Sequence, residues 1–197
     1  MKYINQLEYH HLLYVTRTTM DGENLEFGKT STVKTSGCGL CAAIMAADRL
    51  LVDCDFSLTD AIQMSYDTKA NERIGTDYTR FAPAFAEKLG LKYAFSEDLE
   101  DVRNCLRTGG AVVVLVDGNR EGHIGLFTRS GHYITLISEE PDGRFAILDP
   151  SLTPEKYEEE GRKGKVELKN GVIILCDGDT LAGECIRANP YCLFWRK

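Results

Sequence analysis

No apolar run in this 197-residue sequence approaches the roughly 20 residues of a membrane-spanning helix. The N-terminus, Met1-Lys2-Tyr3-Ile4-Asn5-Gln6-Leu7-Glu8-Tyr9-His10-His11, lacks the uninterrupted apolar core of a secretory signal. Basic residues do not cluster beyond short pairs, and 23 Lys and Arg against 30 Asp and Glu leave a net charge of -7. That balance argues against nucleic acid or an anionic membrane as the main partner, and it would steer cationic or neutral peptides in preference to acidic ones. Neither an internal repeat nor a low-complexity tract is present. Seven cysteines are an odd number in a chain without an export signal, which reads as reduced thiols in a cytoplasmic protein and not as a disulfide framework. A chain of this length buries a core without such bridges. His10 and His11 are adjacent, so on a strand they would face opposite sides and could not easily share a metal.

What is present divides at about residue 109. Before it, helices dominate. Leu40, Ile44, Ala47 and Leu51 recur at helical spacing from Gly39 onward, among alanines that permit close packing. Ser57-Leu58-Thr59-Asp60 has the form of a helix start, a cap residue with an acid three positions on. A third helix is expected over Asp77–Leu89 with Gly90 as its stop and Pro83 inside it, and a fourth over Glu97–Leu106. Nearer the N-terminus, Tyr9–Val15 reads as a strand and Met20–Asn24 as a turn. After residue 109, Ala111–Val116 has the continuous β-branched run of a strand buried on both faces. Tyr133–Ile137 and Arg144–Leu148 flank Pro141-Asp142-Gly143 as a hairpin, and Asn170-Gly171 joins a second one in the dipeptide that a type I′ turn prefers. Pro154–Lys165 is charged and reads as an exposed loop or short helix, and Tyr191–Trp195 as a last strand. Helices followed by antiparallel strands indicate an α+β fold.

The chemistry centres on Ser36-Gly37-Cys38-Gly39-Leu40-Cys41. Cys38 falls at or just before a helix N-terminus, where unpaired N–H groups and the helix dipole favour a thiolate. A four-residue loop over Glu139–Asp142 would pair Ser138 with Gly143 and set His132 directly opposite Asp149, with both side chains on one face. A tighter turn centred on Pro141-Asp142 would offset them by two or more positions. A histidine held by a carboxylate has a fixed tautomer and a stabilised imidazolium, as a base acting on a cysteine requires.

Five blocks carry a resemblance to a known family: Ser36–Ala43, Gly75-Thr76-Asp77 with Lys88-Leu89-Gly90-Leu91, Leu106–Val113, Gly131-His132-Tyr133-Ile134, and Leu148-Asp149-Pro150. In that order, over about residues 30–152, the chain resembles the papain-like cysteine peptidases related to the bacteriocin leader-processing (double-glycine) peptidases. The resemblance implies a single papain-like catalytic domain over 1–197. A helical lobe (about 30–108) would carry the nucleophile, against a β lobe (about 109–197) joined by the N-terminal segment 1–29. It implies Cys38 as nucleophile, His132 as base and Asp149 as orienter, no cofactor or metal, and a peptide or amide substrate. The processing relatives act on leader peptides while fused to a transporter, a substrate class that does not carry over to a chain with no apolar span. Two positions depart from the family. The usual glutamine before the cysteine is missing from Thr32-Val33-Lys34-Thr35-Ser36, and losing such an oxyanion donor typically costs about 10²- to 10³-fold in rate. Thr32, Lys34, Thr35, Ser36 or the Cys38 backbone N–H are the candidates to replace it. Cys41 stands where a small or hydroxyl residue is usual, one helical turn from Cys38, at a spacing that would allow a regulatory disulfide.

Other readings compete. Cys38-Gly39-Leu40-Cys41 has the spacing of redox and zinc motifs, but the chain shows no βαβ pattern, and Cys176, Cys185 and Cys192 form no second ligand pair. His123 rivals His132 but has no acidic residue at a matching cross-strand position, which makes it a loop or cleft-lining residue. Cys54, Cys105, Cys176, Cys185 and Cys192 lie beside apolar residues and read as packing groups. The same scaffold could bind a peptide without cutting it, or pass the acyl group to an amine or thiol. Oligomeric state is not legible.

Overall fold

The computed structural model describes residues 2–16, 31–72 and 75–197. The turn expected at Met20–Asn24 lies outside them. The segment Tyr9–Val15 is not a strand: after a 3₁₀ turn over Gln6–Glu8 the chain makes only an isolated bridge between Leu13 and Thr32. His10 and His11 are exposed there.

A short helix, α1 (Val33–Ser36), leads through Gly37 into α2 (Cys38–Leu50). The expected single apolar stripe understates α2, because every residue from Cys38 to Ala47 is buried. Its alanines and glycine permit this, since a helix hemmed in on all sides has no room for larger side chains. α3 (Leu58–Asp67) begins with a reciprocal cap: the Asp60 N–H donates to Ser57 Oγ (3.2 Å), and the Ser57 N–H to Asp60 Oδ2 (2.9 Å). α4 (Tyr78–Leu89) is capped by Asp77, which accepts from the Thr79 N–H at 2.9 Å, and ends at Gly90 with φ +64°. Pro83 lies within α4, whose Phe85 enters the core against Phe194, Phe56 and the stacked ring of Phe81.

Immediately after Gly90 the chain forms β1 (Leu91–Ser96), a strand absent from the sequence reading. Its burial does not alternate, so no period of two marks it. Then come α5 (Leu99–Arg107), β2 (Ala111–Val116), β3 (His132–Glu139), β4 (Phe145–Leu148), β5 (Glu167–Lys169), β6 (Ile173–Cys176), α6 (Gly178–Gly183) and β7 (Tyr191–Arg196). All seven strands form one antiparallel sheet in the order β1-β7-β2-β3-β4-β6-β5. The C-terminal strand thus closes the gap between the first two.

The sheet lies between two apolar cores. Ala111, Val113, Ile137 and Leu148 pack with α2, α3 and α4, whereas Val112, Val114, Val116, Ile134 and Leu136 pack with α5, α6 and the segment around Tyr157. Burial on both faces is why β2 reads as an unbroken run of valines. Among the described residues no helix is long and apolar enough to cross a membrane.

The hairpin between β3 and β4 differs from the expected register. Its turn is the tighter one centred on Pro141-Asp142: the Gly143 N–H, at φ +84°, donates to Glu140 O (2.9 Å), and the Glu140 N–H donates to Arg144 O (2.8 Å). Glu139 pairs with Phe145 and Ser138 with Ala146. A shift between Leu136 and Ser138 then takes back one position, so that Thr135 pairs with Leu148. Asp149 therefore lies just past the end of β4 and is not the direct cross-strand partner of His132, whose ladder partner is Val116 on β2. In the second hairpin both turn residues have positive φ, Asn170 at +53° and Gly171 at +76°, as expected. Lys169 pairs with Ile173, one position beyond the partner that a two-residue loop would give.

Candidate active site

Cys38 is the first residue of α2, so its backbone N–H has no partner within the helix. His132 is the first residue of β3, and Asp149 follows β4 directly. Despite the altered register their side chains meet: His132 Nε2 and Asp149 Oδ1 are 2.8 Å apart. The Cys38 thiol faces His132 and the backbone N–H groups of Tyr133 and Gly39, all of which favour its thiolate. Because Nε2 is engaged by Asp149 and by Ser151 Oγ (3.1 Å), the ring nitrogen left for the sulfur is Nδ1. The three side chains are 8, 5 and 0% exposed in chain order, so solvent screens them little.

Charge decides their protonation. Burial works against the Cys38 thiolate, but the hydrogen bond and charge of His132 and the two backbone N–H groups outweigh it and lower the thiol below 9.0. Burial also works against the His132 imidazolium, and the Asp149 charge and hydrogen bond, with help from Cys38, raise it to about 9. Asp149 is held well below the usual carboxylate range despite complete burial, first by the charge of Lys156 and then by His132.

A cleft of about 360 Å³ opens on this pair. Gly75, Thr76 and Asp77 line one side, and Leu115, Tyr133 and Arg187 the other. Its floor is tightly built. A Cβ on Gly39 would lie 2.9 Å from Thr76 Cβ and 3.2 Å from the Tyr133 ring, so only glycine lets α2 approach this closely. Tyr78 donates to Gly39 O at 2.7 Å, and Tyr14, fully buried, ties Ser65 to Thr76 through its hydroxyl at 2.7 and 2.9 Å.

A solved structure has a similar backbone. It is a Bacillus anthracis protein whose C39-like peptidase assignment is itself provisional, 11% identical, with a TM-score of 0.52 over 82% of this chain and 88% of that one. The fold is α+β and papain-like. At that identity the likeness concerns the fold alone. No family model matches the sequence, and no curated protein does.

On this papain-like frame several expected residues fall elsewhere. None of Thr32, Lys34, Thr35 and Ser36 lines the cleft. The Thr35 hydroxyl is taken up in the α1 start, accepting from the Thr32 N–H at 3.0 Å, Lys34 points to solvent, and Ser36 is 2% exposed. Cys41 is fully buried one turn beyond Cys38, and burial with the nearby Cys38 pushes its thiol up. His123 does have an acidic partner: Nε2 is 2.8 Å from Glu184 Oε1, and Glu184 also accepts from the Leu126 N–H. That pair lies outside the cleft lining, and its two residues are 61 positions apart, beyond the reach of a cross-strand argument. All seven cysteines are unbridged, and among the described residues no cluster of three or more His, Cys, Asp or Glu is placed to hold a metal.

Sequence reasoning also missed neighbours of the site. Pro154–Lys165 is not simply an exposed loop: Lys156, Tyr157 and Arg162 are 8, 7 and 4% exposed, and the first two reach Asp149. An aromatic residue inside a charged run was the available signal. The N-terminal segment lies against the other side of Asp149. Tyr3 donates to Asp149 O (2.8 Å), and the Gln6 N–H to Pro150 O (2.7 Å). Gln6 is 6% exposed; Nε2 donates to Lys34 O at 2.8 Å, four residues before Cys38, and Oε1 has no partner.

Proposed function

We propose that the protein is a cysteine-dependent hydrolase of peptide or amide bonds, with residues 1–197 as one catalytic domain. Cys38 is the nucleophile, His132 the acid and base, and Asp149 the orienter. The observation that carries this reading is the buried His132, hydrogen-bonded to Asp149 at 2.8 Å, lining one cleft together with Cys38, whose thiolate it favours. The Cys38 thiolate attacks the substrate carbonyl carbon, and the imidazolium of His132 gives its Nδ1 proton to the departing amine. Water, deprotonated by the now neutral His132, then attacks the thioester, and the acid leaves as Cys38 returns to thiolate. Charge on the carbonyl oxygen needs donors. The Cys38 N–H is one, and Gln6 is our candidate for the other: it too lies outside the cleft lining, but its buried side chain donates to Lys34 O, four residues before Cys38, and its backbone N–H donates to Pro150 O, next to Asp149.

The test is labelling with a peptidyl acyl electrophile, comparing the wild type with Cys38→Ala and His132→Ala. Rapid modification of the wild type at Cys38, lost in both variants, is expected. Equal labelling of wild type and His132→Ala would overturn the reading. The absence of every expected oxyanion side chain from the cleft favours a second reading, a scaffold that binds peptide without turnover. Stoichiometric labelling with no product from any peptide pool would select it. An added amine captured in the product would indicate acyl transfer.

A further inference from the structure

His132 is not the nearest charge to Asp149. Lys156, in the turn-rich segment after β4, sets its ammonium 2.5 Å from Asp149 Oδ2 and also donates to Ser151 Oγ at 2.7 Å. Tyr157 donates to the same Oδ2 at 2.7 Å. On the other oxygen, Oδ1 faces His132 Nε2 (2.8 Å) and accepts from the Ser151 N–H (2.8 Å) and the Ser151 hydroxyl (3.1 Å). Five donors surround a carboxylate with about four lone-pair sites, so it has no freedom to turn. We propose that Lys156 is a positioning residue of the site, holding Asp149 as a fixed carboxylate aimed at His132 and setting how tightly His132 keeps its proton. The inference rests on the assignment of Cys38, His132 and Asp149 made above.

Two arguments carry it. The first is charge balance: thiolate, imidazolium, carboxylate and ammonium alternate in sign along one buried line and sum to zero. Without the last member, Asp149 would direct its whole charge at His132. The imidazolium would then be too stable to release its proton readily to a leaving amine. The second is cost. Burying an ammonium is expensive, and a buried ion pair adds little stability over well-packed apolar residues, so a lysine 8% exposed beside the site is poorly explained by folding alone. Other groups facing the pair are Arg162 and, farther off, Cys38 toward Lys156, and Tyr3 and Tyr157 toward Asp149. None of them is a second cation touching Asp149.

The experiment is titration of the His132 ring by NMR, which needs no substrate, in the wild type and in Lys156→Met, Lys156→Arg and Tyr157→Phe. Lys156→Met should raise the His132 midpoint by about one unit, on the order of a tenfold tighter hold on the proton. Lys156→Arg, keeping the charge, and Tyr157→Phe, removing a neutral hydrogen bond from the same oxygen, should stay within about 0.3 unit of wild type. A Lys156→Met midpoint equal to wild type overturns the proposal, as does a Tyr157→Phe shift as large as that of Lys156→Met. Should Lys156→Met fail to fold, Lys156→Gln, which keeps a donor but no charge, carries the same expectation. The triad assignment fails separately, if Cys38→Ala and Asp149→Asn both leave the His132 midpoint where it is in the wild type.

Discussion

Replacing Asp149 by asparagine should disable a sulfur that it does not touch. The Asp149 charge is the largest influence lifting His132 from 6.5 to about 9 against burial, a preference for imidazolium of roughly 3 kcal/mol at 1.36 kcal/mol per unit. Asparagine keeps the shape and an acceptor for Nε2 but removes the charge, so His132 falls to or below its ordinary value. Cys38 depends on that imidazolium to offset its own burial, and its thiol then returns to 9.0 or above. At pH 6 a thiol of that kind is ionised in only about one molecule in a thousand. Alkylation of Cys38 by iodoacetamide at pH 6 should therefore fall severalfold or more in Asp149→Asn, with the gap closing near pH 10. A loss of less than about threefold at pH 6 would refute the coupling. The substitution also strips Lys156 of its counter-charge, at the cost of about 3–5 kcal/mol typical of breaking a buried pair from one side. Circular dichroism must therefore show the variant folded at the assay temperature. Linkage adds a check on the same pair. A raised folded-state value means that the His132 contribution to stability is complete below pH 6.5 and is lost as pH rises through about 9. The lowered Cys38 thiol contributes with the opposite sign over the same range, so the check is made without it: the Tm of Cys38→Ala should fall across that window more steeply than the Tm of Cys38→Ala with Asp149→Asn.

Two other outcomes follow from the site. Gln6→Leu should slow acylation of Cys38 by an ester or amide about 100-fold while leaving iodoacetamide alkylation, which develops no oxyanion, within about threefold; equal slowing of both would remove Gln6 from the oxyanion role. Peroxide should convert the Cys38 thiolate to a sulfenic acid, which the Cys41 thiol one turn away then closes to a disulfide with loss of water. Mass spectrometry of the digest should find the two cysteines linked in the wild type, and their never being linked would reject the switch.

The parts of the site that could be read from the chain are those set by local chemistry. Cys38 at a helix start follows from glycines beside it and small residues after it, and the cap at Ser57 and the stop at Gly90 were each visible as residue types at fixed offsets. His132 and Asp149 were paired for a reason only half right. The hairpin exists and the side chains meet, but the turn is tighter than assumed, a register shift recovers one position, and Asp149 reaches His132 from beyond the ladder. Thr32, Lys34, Thr35 and Ser36 lie near Cys38 in sequence but do not line the cleft, because nearness in sequence is not nearness in space. Gln6 lies 32 positions upstream, yet it is hydrogen-bonded to segments on both sides of the site.

Hydrophobic period, capping residues and turn dipeptides act over a few residues. They were therefore sufficient, from the amino-acid order alone, to specify the four longer helices α2 to α5, the doubly buried strand β2, both hairpins and the α+β class, but not the short helices α1 and α6. The insertion of β7 between β1 and β2, the existence of β1 as a strand, and the burial of Lys156 against Asp149 were decided only on folding. Each depends on a partner that no local pattern names. An edge strand is defined by the strand it joins, and a lysine inside a charged run looks solvated until the carboxylate that it neutralises comes within reach.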